Sequence, residues 1–98
     1  YSQIAKEEGG EILLGGKAPD DPALAKGCYV LPTVVRAKPQ DRVNREEVFG
    51  PFVTVSLFRD EDAVLEQANA TTYGLGGGLW TLNLNLAHRF AMQDALRL

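Results

Sequence analysis

What this sequence lacks narrows it before any motif is read. It holds a single cysteine, Cys28, so it can form neither an internal disulfide nor a multi-thiolate zinc site. It also holds one histidine, His88, and a metal site built on it would have only carboxylates as partners. No apolar run approaches the roughly 20 residues that a membrane-spanning helix requires. Lysine and arginine are scattered without a run, and the formal charge is -3, which gives no reason to expect nucleic acid or an anionic membrane as partner. The opening residues, YSQIAKEEGG, are polar and acidic where a signal peptide would be basic and then apolar. Together these absences predict a soluble, cytoplasmic protein with no nucleic-acid and no membrane partner.

What is present is an ordinary globular composition, 45% apolar and 23% charged, over 98 residues. That length suits one small domain and is short for an enzyme that must hold both a dinucleotide and a substrate. Tyr1–Glu8 reads as the last turns of a helix stopped by Gly9-Gly10, and Leu98 falls at the finish of a helical pattern, so the chain reads as a fragment. Ile12-Leu13-Leu14, closed by Gly15-Gly16, predicts a short buried strand. Residues 17–27 carry two prolines and read as a surface loop. Cys28–Ala37 is rich in β-branched residues, and Pro32 within it predicts an edge strand or two short extended pieces. The polar stretch Pro39–Glu47 has room for one helical turn.

From Phe52 the pattern is cleaner. Val53, Val55 and Leu57 alternate with Thr54 and Ser56, the signature of a strand. Asp60 stands as N-cap of a helix with Glu61 and Asp62 in its first turn and Val64, Leu65 and Ala68 along its stripe. Leu79-Trp80 reads as a tightly packed buried strand with Trp80 in the core. Asn83 caps a last helix with the stripe Leu84, Ala87, Ala91 and Ala95. The expected order after residue 10 is strand, strand, strand, helix, strand, helix. Its tail has the β-α-β-α form that builds parallel sheets.

Three blocks then carry a resemblance. GCYVLPTV (Gly27–Val34), EEVFGP (Glu46–Pro51) and NATTYGLGGGLWT (Asn69–Thr81) resemble, in order and approximate spacing, three segments of the NAD(P)-dependent aldehyde dehydrogenases. The resemblance covers nearly the whole chain. It implies an α/β fold, part of a three-layer parallel-sheet catalytic domain, with residues 1–98 as its C-terminal portion and the cofactor domain and nucleophile segment elsewhere. It further implies oxidation of an aldehyde to an acid. In that family a cysteine thiolate attacks the carbonyl, hydride passes to NAD or NADP, and a glutamate-activated water hydrolyses the thioester. A small-molecule aldehyde and a homo-oligomer, dimer or tetramer, follow as implied partners. By the same matching, Glu47 falls on the glutamate that hydrogen-bonds the nicotinamide ribose, and Phe49 on the phenylalanine beside the nicotinamide ring.

The chemistry of those two assignments stands on its own. A carboxylate offers acceptors to both hydroxyls of a ribose. A phenyl ring offers a flat apolar wall. Gly50-Pro51 would re-aim the chain into the next strand, with Gly50 free to take an unusual dihedral.

Blander readings compete at each position. Glu46 reads as a solvated acidic turn with Arg45 as ion-pair partner, and Phe49 is open to a reading as plain core. Cys28 has no adjacent base and lacks the Gly-Gln-x-Cys setting of the family's nucleophile, so it reads as a buried or edge thiol. His88 reads as a helix-surface residue. Gly74–Gly78 spells neither a Walker nor a Rossmann pattern and reads as close strand packing. No catalytic residue or metal ligand is assigned. A related reductase of acyl phosphates or acyl thioesters, or a non-catalytic assembly domain, remains open on the sequence.

Overall fold

The structure is a computed structural model; it describes residues 1–93, and the chain divides into two compact units, Tyr1–Ser56 and Leu57–Leu98. The first unit opens with helix α1 (Ser2–Glu7). Its end is closed by Gly10 N–H donating to the Ala5 carbonyl at 2.7 Å and Gly9 N–H donating to the Lys6 carbonyl at 3.1 Å. Gly9 sits at φ 85°, the left-handed position that this closure requires and that a Cβ would penalise. The Gly9-Gly10 stop is therefore read correctly from sequence.

Strands β1 (Glu11–Leu14), β2 (Thr33–Arg36) and β3 (Phe52–Val55) form one sheet in the order β1-β2-β3. A 3-10 turn, Pro22–Leu24, interrupts the loop between β1 and β2, capped by Asp21. The β1–β2 pair is antiparallel with a bulge between Ile12 and Leu14, whereas β2 and β3 are parallel. The parallel pair is joined across residues 37–51 by the single-turn helix α2 (Arg42–Arg45), the turn anticipated in the polar stretch. The α/β class holds, with a mixed sheet in place of an all-parallel one.

A small core of Ala5, Val35, Ala37 and Val43 joins α1, the sheet and α2, with Ile4, Ile12 and Phe52 packed against it. Expectations for β1 and β2 change. Only Thr33–Arg36 of the β-branched run is strand, and it is central rather than at an edge. Pro32 lies just before its first residue, so the missing donor falls outside the ladder. β1 is the edge instead, and its Leu13 and Leu14 are exposed. In β3 the alternation is real, but Phe52 and Thr54 are the half-buried residues, while Val53 and Val55 are 54% and 41% exposed. Alternation separates two faces without saying which one the helices cover.

In the second unit, Asp60 caps α3 (Glu61–Asn69) by accepting from Ala63 N–H at 2.8 Å, and Asn83 caps α4 (Leu84–Gln93) by accepting from Leu86 N–H at 3.1 Å. Arg89 on α4 pairs with Glu61 at 2.9 Å and with Asp62, which ties the two helices together. The stripe expected along α4 is rotated. Phe90 is the buried residue, Leu86 and Ala87 are half-buried, and Leu84 and Ala91 are exposed. A ring three and four residues on from Ala87 and Leu86 outweighs alanines as a core anchor. Ala95 lies outside the described residues.

Leu79-Trp80 forms no strand, and Trp80 is 92% exposed. The glycine run is mixed: a Cβ on Gly74 would meet nothing within 4 Å, whereas one on Gly78 would lie 3.1 Å from the Trp80 ring. Among the described residues no helix is long and apolar enough to cross a membrane.

Candidate functional site

The segment Glu46–Pro51 is the return leg of the β2–α2–β3 crossover, and both of its ends are fixed. At the helix end, Glu46 N–H still donates to the Arg42 carbonyl at 2.8 Å although its own backbone is already extended, at φ -108° and ψ 144°. α2 is itself held from behind. Glu8, just past α1, accepts from Arg42 N–H at 3.0 Å and so satisfies one of the free amides that open the helix. Asp41 turns back to accept from Lys38 N–H at 2.9 Å, and Asn44 Nδ2 donates to the Lys38 carbonyl at 2.7 Å. Val43 sits in the core.

The strand end is held just as firmly. Thr33 N–H donates to the Pro51 carbonyl, and Phe52 N–H to the Gly50 carbonyl, both at 2.8 Å. The hydroxyl of buried Thr33 accepts from Gly16 N–H and donates to the Leu31 carbonyl, both at 2.9 Å, which pins the start of β2 to the end of β1. Gly15 comes so close here that a Cβ on it would collide with the Pro32 carbonyl oxygen. The loop is thus presented from the amino ends of β2 and β3.

Its two glutamates have opposite surroundings. Arg42 donates to Glu46 from Nε at 2.8 Å and from Nη2 at 3.2 Å, and the Tyr1 hydroxyl donates to the same carboxylate at 2.8 Å. The Arg42 hydrogen bonds first, and then that from Tyr1, hold the Glu46 carboxyl below the ordinary carboxylate range; the same contact raises Arg42. Arg45 is not the partner, and the turn is not merely solvated. The signal was the i, i+4 spacing of Arg42 and Glu46. Glu47, half-buried, has no hydrogen-bond or ion-pair partner among the described residues, so all its acceptor positions are available.

Phe49 is 90% exposed, which rules out the plain-core reading within these residues. It borders an open depression of about 430 Å³ that Val30, Thr33, Pro51 and Phe52 also line; Glu47 does not line it. Phe52 is backed by the ring of Tyr1, centroids 6.5 Å apart. Gly50 does not adopt a left-handed φ, contrary to expectation, and a Cβ there would meet nothing within 4 Å. The turn is closed by the Phe52-to-Gly50 hydrogen bond and by proline instead.

The remaining candidates lie apart from this loop. Cys28 is exposed rather than buried, in the loop before β2, and has no hydrogen-bond partner among the described residues. His88 is exposed on α4, as read from the sequence. No group of three metal-ligating side chains comes together among the described residues.

Comparison with known proteins gives this geometry a context. Residues 1–95 match the model of the aldehyde dehydrogenase family. An aldehyde dehydrogenase of Paracoccus denitrificans is 46% identical over 90 residues, which is 91% of this chain and 18% of that protein. The crystal structure of PnpE from Pseudomonas sp. WBC-3 superposes with a TM-score of 0.94 at 61% identity, covering 98% of this chain and 20% of PnpE. PnpE in complex with nicotinamide adenine dinucleotide superposes with a TM-score of 0.92 at the same identity and coverage. The chain therefore spans about a fifth of the length of the proteins it matches.

Proposed function

The chain belongs to the aldehyde dehydrogenase family, and from that premise we propose that it works as the cofactor-facing part of a longer enzyme that oxidises an aldehyde to a carboxylic acid. The observation that carries this reading is the division of labour in EEVFGP. Glu46 is consumed by Arg42 and Tyr1, while Glu47 keeps its acceptors and Phe49 keeps its ring face open. Those two side chains fit a nicotinamide nucleoside. The Glu47 carboxylate accepts from the ribose hydroxyls, and the Phe49 ring supplies a wall against which a planar ring is set. When bound, NAD+ or NADP+ supplies the hydride acceptor. Ligands of open α/β sheets commonly bind outside the carboxyl ends of the strands, whereas this loop stands at the amino ends of β2 and β3. That placement suits a positioning wall for a cofactor held mainly by another domain.

The same proposal leaves the nucleophile outside these residues. A cysteine mechanism needs a thiolate with a base in reach. Cys28 is exposed and makes no hydrogen bond to a base among the described residues.

Glu47→Gln in the full-length enzyme tests the reading. Loss of a charge-assisted hydrogen bond should cost about 1.5–3 kcal/mol in cofactor affinity or in hydride transfer. Titration of NAD+ and single-turnover kinetics would show it, with the order of preference among aldehydes unchanged. Unaltered cofactor binding and hydride transfer would return Glu47 to a solvated turn.

A further inference from the structure

The ion pair at the head of the loop is oddly built for a helix stabiliser. Arg42 stands at the first position of α2 and Glu46 at its C-cap. The helix dipole favours the reverse order, with the acid first and the base last. A helix of one turn gains little from such a pair in any case. What the pair does hold is residue 46, and it holds it twice. The backbone amide of Glu46 donates to the Arg42 carbonyl, and its carboxylate takes two hydrogen bonds from the Arg42 guanidinium. A third comes from the Tyr1 hydroxyl on a different segment, so the clamp spans from the start of α1 to the end of α2. Glu8 at the other end of α1 caps the same helix through Arg42 N–H. Bidentate contact by a planar guanidinium fixes direction as well as distance. The residue released by this clamp is Glu47, and Phe49 follows two positions later.

We propose that Arg42, Glu46 and Tyr1 are positioning residues for the cofactor loop, holding residue 46 so that Glu47 is presented to the nicotinamide ribose. The inference rests on the cofactor-facing reading of Glu47. None of the three touches the cofactor in this scheme; each acts through Glu47. Their removal should therefore change cofactor affinity only as long as Glu47 can make its contact.

That condition supplies the test, a double-mutant cycle in the full-length enzyme with the Kd for NAD+ as readout and thermal unfolding alongside. Glu46→Gln should raise Kd by about 3- to 10-fold, the scale of one hydrogen bond. In a Glu47→Gln background the same change should have no further effect. Arg42→Lys, which keeps the charge and loses the fork, should reproduce the Glu46→Gln phenotype, and Tyr1→Phe should show a smaller version of it. If Glu47→Gln weakens NAD+ binding while the Glu46 and Arg42 substitutions leave Kd unchanged, or add to it independently, the clamp is overturned and the reading of Glu47 survives. If Glu47→Gln itself leaves NAD+ binding unchanged, the reading of Glu47 falls and the clamp falls with it.

Discussion

Adjacent residues of one chemical type have separate fates here because of what lies within about 3 Å of each. Glu46 meets a guanidinium and a phenol, and Glu47 meets neither. The hydrogen bonds from Arg42 first and then Tyr1 lower the Glu46 pKa, so Glu46 holds its charge, and the clamp, to lower pH than an unpartnered glutamate. Cys28 is the other residue whose role turns on its neighbours. An exposed thiol without a base is poorly placed for carbonyl attack. In the full-length enzyme, Cys28→Ser should leave steady-state aldehyde oxidation within a few-fold of wild type. Trapping experiments that lose the thioester intermediate in that variant would assign the nucleophile to Cys28 after all.

At the scale of elements, the loop is as good as the strands that deliver it. β2 begins where the Thr33 hydroxyl bridges Gly16 and Leu31, and at the other end of the pair Arg36 reaches Glu11 at 3.3 Å. Thr33→Val keeps the shape and orphans both partners. It should cost about 1–3 kcal/mol of stability, read by thermal or denaturant unfolding, with faster amide exchange at Gly16. Gly74→Ala is the matched comparison. Gly74 has open space and no left-handed φ, so the change should stay within about 0.5 kcal/mol. A neutral Thr33→Val would mean that the Thr33 hydroxyl contributes nothing to holding the start of β2.

For the whole molecule the governing fact is how little is buried. The first unit rests on four small core residues, and Phe90 is the one large buried hydrophobe among the described residues of the second. Among the described residues β1 and β3 are the outermost strands of a three-stranded sheet, and Leu57 is 89% exposed. A domain has a margin of only roughly 0.05–0.15 kcal/mol per residue, so bare edges and apolar faces weigh heavily. The purified 98-residue polypeptide should self-associate or partly unfold in dilute solution, and should show no aldehyde-dependent reduction of NAD+ or NADP+. Sedimentation, amide exchange and a cofactor-fluorescence assay would check this. A well-protected monomer would refute the instability, and measurable turnover would refute a nucleophile outside these residues.

Local chemistry was legible in the sequence wherever the cause is local. The Gly9-Gly10 helix stop, the Asp60 and Asn83 caps, the turn in Pro39–Glu47 and the EEVFGP loop all depend on residues within a few positions of one another. Faces and partners were decided by the tertiary structure. The central place of β2, the inward turn of Phe52 and Thr54 rather than Val53 and Val55, the exposure of Trp80 and the burial of Phe90 each depend on which distant element packs against that position. So does the difference between Glu46 and Glu47. The Arg42 contact follows from i, i+4 spacing, but the Tyr1 hydroxyl arrives from 45 positions away, brought there only by α1 folding against α2.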